Sequence, residues 1–165
     1  MFSRKPDSVK LPDDAHLTPI PAGDRFSSLS AIILDDVFYD FVKENCQIKD
    51  DCSLLNIPGL ICLKAKAYFE LKERKTNNEN ISDKEIKKHR NDIFRLVPLL
   101  SQEEKIILPD RIKGIIIEFL NDVIDNPPDF SGLQKDLKAK NIEATLSKKN
   151  VISRISFVFE LEFKH

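Results

Sequence analysis

The chain has 165 residues and a mass of 19.0 kDa, enough for one domain with its own core and too few for two of ordinary size. Hydrophobic residues make up 41% and charged residues 32%, ordinary values for a soluble protein, and the formal net charge of −1 excludes a global pull toward polyanions. Cys46, Cys52 and Cys62 are odd in number and fit no paired zinc spacing. No apolar run approaches bilayer-spanning length, so reduced thiols and a cytoplasmic location are expected.

Residues 1–14, with mixed charge and two prolines, read as a flexible lead, and 15–165 as a single mainly helical domain with minor short strands. From Ser27, the residues Leu29, Ile32, Ile33, Val37, Phe38, Phe41 and Val42 recur at helical spacing as far as Asn45. Asp35 and Asp36 on that helix read as a solvated face, because aspartate is rarely buried unpaired. Gln47 to Asp51 reads as a loop, and Cys52 to Asn56 as a short strand.

Pro58, with its fixed φ and missing N–H, suits the start of the next helix. On a helical wheel, Leu60, Ile61, Ala67, Tyr68 and Leu71 fall within about 60° of Lys64, which places the lysine inside an apolar stripe. An ammonium there must snorkel to water, lose its proton or meet an anion, and the wheel leaves these open. Thr76 to Asn80 reads as a turn that makes an antiparallel helical hairpin. The second helix begins at Ser82, which forms a capping box with Glu85, while Ile81 and Ile86 form a hydrophobic staple. Its core face is Ile86, Ile93, Leu96 and Val97, and Pro98 ends it. His89 borders this face, three residues before Asp92, so Lys88, His89 and Asp92 can meet at the core edge. A surface ion pair beside a satisfied histidine accounts for the same spacing.

Ser101 and Glu104 form another capping box, expected to open a short helix that Pro109 stops. Ile112, Ile115, Ile116, Phe119, Leu120, Val123 and Ile124 then write the clearest core helix, ended by Pro127 and Pro128. Gly114 within it is expected to permit close helix packing. Ser131 reads as the cap of a small helix that turns Leu133 and Leu137 inward. The tail satisfies both periods: Ile155, Phe157, Phe159, Leu161 and Phe163 alternate like a strand, while Val151, Ile155, Val158 and Phe159 suit a helix begun at Ser147, which is the assignment adopted. His16, His89 and His165 are too scattered for a metal cluster.

The runs LLNIPGLICLKAKAYFELKERK and ISDKEIKKHRNDIFRLVPLL, preceded by PIPAGDRFSSLSAIILDD, resemble the C-terminal half of the AbiEii/AbiGii-type nucleotidyltransferases, bacterial proteins of toxin–antitoxin and phage-defence systems. The resemblance covers residues 15 to 100 well and the remainder loosely, and its most specific piece is the pairing of LKAKA with KKHRND. It implies that Lys64, in an LKxxA pattern with Ala67, holds nucleotide phosphates and that Asp92, after Lys88 in a KxxxD pattern, completes the site. Arg74 matches the arginine closing the first helix, and Arg25 belongs to the similar upstream run. Lys88, His89, Arg74 and Arg25 are therefore the expected substrate-binding residues, beside Lys64 and Asp92 as catalytic ones.

A complete family member would use Mg²⁺ and a nucleoside triphosphate, with RNA or a protein as acceptor. The chemistry needs carboxylates on the metal, which neutralises charge in phosphoryl transfer. None of Gly23, Gly59, Gly114 and Gly132 opens the family's Gly-Ser or Gly-Gly motif, and no Asp-x-Asp occurs. Asp13-Asp14, Asp35-Asp36 and Asp50-Asp51 are adjacent pairs whose side chains diverge. This chain alone is therefore expected to hold no metal and to be inactive, contributing Lys64 and Asp92 to a nucleotide site. The alternative is a non-catalytic helical module that binds RNA or an antitoxin-like protein. It is motivated by ten Lys or Arg against six Asp or Glu between Lys64 and Arg95. No membrane partner is expected.

Overall fold

The computed structural model describes residues 2–4, 32–49 and 52–162, with side chains from residue 35 onward. Arg25, the boundary at 14/15 and the adjacent pairs Asp13-Asp14 and Asp50-Asp51 lie outside the described residues. The described chain is mainly helical, with six α-helices and short strands, and contacts divide it into two compact units, Met1–Cys46 and Gln47–His165.

In the first unit, β1 (Phe2–Arg4) pairs in parallel with β2 (Ile32–Leu34), Phe2 opposite Ile32. The helix expected from Ser27 is therefore shorter. Ile32 and Ile33 are β-branched residues that pair well on a ladder, and α1 (Asp36–Glu44) begins only where the Asp35 carboxylate accepts the Phe38 N–H at 3.1 Å. Phe38, Phe41 and Val42 form its buried face. The stretch from Gln47, expected as loop, instead belongs to β3 (Cys46–Lys49), which pairs with β4 (Cys52–Leu55), the strand expected before Pro58.

The second unit is organised by α2 (Ile57–Thr76) and α3 (Asp83–Leu96). Asn56 caps α2 by accepting from Gly59 N at 2.8 Å, with Pro58 in the first turn. Asn78, at φ 62°, turns the chain between the helices through the left-handed region that asparagine tolerates. Ser82 and Glu85 cap α3 reciprocally, and a 3₁₀ turn at Val97–Leu99 carries Pro98 past its end. Lys64 near the start of α2 pairs with Asp92 near the end of α3, and Lys75 near the end of α2 with Asp83 at the start of α3. The two rods therefore run antiparallel.

Against this hairpin packs α4 (Asp110–Asp125), whose Ile112, Ile116, Phe119, Leu120 and Val123 are buried. Phe119 meets Phe94 of α3 at 5.8 Å between centroids, and Phe130 meets Phe94 edge-on at 5.7 Å. Gly114 lies on the solvent side of α4: a Cβ there would meet nothing within 4 Å, so the close packing expected of it is absent. Residues 101–109 form no helix. The Ser101 hydroxyl accepts only a local bond from Glu103 N, and Ile106 N reaches the Val158 carbonyl at 2.8 Å, holding the segment extended; so short a helix would not repay its nucleation.

α5 (Phe130–Ala139) is capped by Asp129, accepting from Gly132 N at 3.0 Å, rather than by Ser131. It buries Leu133 and Leu137 as expected. The tail is α6 (Lys148–Val158), begun by the Ser147 cap on Asn150 N, with Val151, Ile152, Ile155 and Val158 inside. Among the described residues no helix is long and apolar enough to cross a membrane.

Candidate functional site

Lys64 and Asp92 meet. The lysine Nζ donates to Asp92 Oδ2 at 2.8 Å across the α2–α3 interface, with 30% and 24% of the two side chains exposed. The buried face of α2 runs through Pro58, Ile61, Cys62, Ala65 and Tyr68. Lys64 therefore stands on the flank of that face rather than at its centre, because Ala65 and Cys62 take the central positions. Its stem lies against the core edge and its head reaches an anion, combining elements of both sequence readings.

The pair is one link of a chain. Arg95 Nη1 donates to the other Asp92 oxygen at 3.3 Å, and Arg95 Nη2 to Asp136 of α5 at 3.0 Å. Burial raises the Asp92 carboxyl, but the hydrogen bond and charge of Lys64, aided by Arg95, outweigh it and hold the group below the usual carboxylate range. His89, one turn earlier, is half-buried; burial first and the Lys64 charge second push its imidazole down, against the pull of Asp92. Its Nδ1 is enclosed without a hydrogen-bond partner.

The remaining expected residues do not join them. Arg74 lies ten residues beyond Lys64, about 15 Å along the axis. It is committed to Glu79, its Nε donating at 2.8 Å to close the turn between the helices. Lys88 is exposed on the outer face of α3, lining a groove of about 450 Å³ with Asp83, Lys84, Lys87, Asn91 and Arg95. Arg25 is outside the described residues.

A metal does not fit here. Both Asp92 oxygens are already on cations, and among the described residues no three His, Cys, Asp or Glu side chains cluster to hold an ion. Cys62 is no candidate nucleophile, since burial pushes its thiol far up and keeps it protonated.

Sequence reasoning missed a second junction. Asp122 of α4, with 9% of its side chain exposed, accepts from Tyr68 Oη at 3.0 Å and from Lys72 Nζ at 3.2 Å, and pairs with Arg90 Nη2 at 3.2 Å. Arg90 also donates to the Asn126 carbonyl at the end of α4. Burial and the Asp122 hydrogen bond both push the Tyr68 phenol up. Asp122 falls at the edge of the α4 stripe, one step round the wheel from its buried centre, so the sequence offered no specific signal for it. Comparison with family models, with curated proteins and with solved structures finds no match to this chain.

Proposed function

We propose that this chain is the helical, metal-free part of a nucleotidyltransferase-like protein of the AbiEii type, in which Lys64 holds a nucleotide phosphate and Asp92 orients the lysine. The observation that supports the reading is the 2.8 Å bond between Lys64 and Asp92. These two residues stand 28 apart in sequence, and the resemblance names both as site residues. Lys64 keeps 30% of its side chain exposed, so an incoming phosphate reaches the ammonium without unfolding α2.

In this reading the resting pair is a closed form. A triphosphate competes with Asp92 for Lys64, and Arg95 retains the carboxylate when the lysine turns outward. Phosphate carries more charge than a carboxylate, so the exchange favours the ligand where both are comparably solvated. His89, kept neutral, adds no competing positive centre at neutral pH and presents a ring nitrogen beside the pair. No transfer step is assigned to these residues alone. In a complete protein Mg²⁺ would be held elsewhere, and the setting would be a cytoplasmic toxin–antitoxin or defence system.

Titration calorimetry with a nucleoside triphosphate tests the proposal. Saturable binding by the full chain that is lost in Lys64→Ala, with the helical signal retained, is the expected result. Equal heats for the two proteins would reject it.

A further inference from the structure

The α2–α3 hairpin is rich in ion pairs, yet one set of its cations is left over. Lys64, Lys72, Lys75, Arg74, Arg90 and Arg95 each have a carboxylate within 3.3 Å. Among the described residues Lys84, Lys87 and Lys88 have none, and all three are exposed. They occupy positions i, i+3 and i+4 of α3, so they are neighbours on one face. Two open grooves flank this ridge, of about 490 and 450 Å³, and share Asp83 and Lys87. The inner groove adds Lys72, Lys75 and Arg90, and the outer adds Lys84, Lys88, Asn91 and Arg95. Among the described residues Asp83 is the one acidic residue lining either.

Stability explains this placement only in part: Asp83, four residues before Lys87, feels the lysine's charge beside that of Lys75. Like charges at these spacings repel, and cations in the first turns of a helix oppose its dipole. A chain of net charge −1 has nonetheless gathered its surplus here. From Lys84 to Arg95 the cations extend over about 16 Å of helix, strung along a ridge rather than around an enclosed cavity. A compact anion would need walls; a linear one needs only successive contacts.

We infer that the ridge of Lys84, Lys87 and Lys88 binds the phosphodiester backbone of a single-stranded nucleic acid, which crosses α3 from the Lys75 groove to the Asn91 groove. Recognition is of phosphate and not of base, since the lysines offer mobile point charges without bidentate geometry. The inference rests on other residues than the Lys64 pair: neither Lys64 nor Asp92 lines a groove, and the two share only Arg95, which bonds Asp92 and lines the outer groove.

A fluorescent twelve-nucleotide single-stranded RNA, titrated against the full chain across a salt series, tests it. Each phosphate neutralised on a single strand contributes about −0.7 to the slope of log affinity against log salt. The triple variant Lys84→Gln, Lys87→Gln, Lys88→Gln is therefore expected to lose about 2 from that slope and at least tenfold in affinity at low salt, on the order expected from removing three such contacts. Its thermal midpoint should stay equal or rise, because repulsion is relieved, which separates lost binding from lost folding. Lys64→Ala should bind the strand as wild type does, so failure of the triphosphate proposal and failure of this one are distinct results. Lys105→Gln, at an exposed lysine elsewhere, should also leave binding unchanged. An unaltered slope in the triple variant overturns the inference. So does competition by inorganic tripolyphosphate at the strand's own phosphate concentration, which would assign the ridge to compact anions.

Discussion

Two ion clusters join the helices of the second unit, and they differ in what surrounds them. At Asp122 the carboxylate is 9% exposed and is met by a phenol, an ammonium and a guanidinium, while Arg90 goes on to the backbone at the end of α4. At Asp92 the carboxylate is 24% exposed, and its chain of partners leads out to Asp136, more than half exposed. In the first the carboxylate itself is enclosed and met on every side, which offsets its desolvation, although Lys72 is 44% exposed and Arg90 Nε has no partner. The second is open at both ends, so a ligand can exchange with a partner at small cost. Charge alone does not distinguish a site from a staple; access does.

The largest expected effect tests the enclosed cluster. Asp122→Ala leaves Arg90, with 15% of its side chain exposed, facing a vacated partner. It should lower unfolding stability by about 3 kcal/mol, the lower end for breaking an enclosed pair, as measured by urea denaturation. Lys64→Met should cost about 1 kcal/mol or less, because its pair is partly solvated, while removing triphosphate binding. If the two variants were equally destabilising, the contrast between staple and site would fail.

Acidification should report on the Asp92 cluster. The folded state holds His89 below its ordinary value of 6.5, so the unfolded chain takes up the proton first. Stability is complete above the unfolded pKa and is lost as pH falls through the depressed folded one. Asp92 is likewise held below 3.8, and its contribution is present above that value and fades on further acidification. The stability curve should therefore fall in a first step below pH 6.5 that disappears in His89→Gln. Persistence of that step in the variant would place its origin elsewhere.

How far the sequence foretold this arrangement follows from the kind of signal each element carries. Local chemistry was legible. The Ser82–Glu85 box, the Pro98 stop and the α4 stripe appear as written, because caps and period-3.6 burial depend on neighbours in sequence. The helix expected after Ser101 is missing because a capping signature carries no information about what lies beside it, here the Val158 carbonyl. The meeting of Lys64 with Asp92 was reachable by a hairpin argument. The Arg95 and Asp136 links, and the Tyr68, Lys72 and Arg90 links to Asp122, cross from the hairpin to α4 and α5, and no wheel contains that registration.

The smallest expected effect sharpens the same contrast from the helix that carries Asp122. Gly114 sits eight residues before it on the open side of α4, where a methyl group would touch nothing within 4 Å. Gly114→Ala removes backbone freedom from the unfolded chain and should stabilise by up to about 1 kcal/mol, read as a raised urea midpoint with an unchanged slope. The two positions are about 12 Å apart along the helix and share no partner, so their effects should add within a few tenths of a kcal/mol. If Asp122 is purely a junction, Gly114→Ala restores part of the stability lost in Asp122→Ala and leaves ligand binding at Lys64 untouched in every combination. A change in that binding when α4 is stabilised would mean that the two clusters communicate, and Asp122 would then belong to the site.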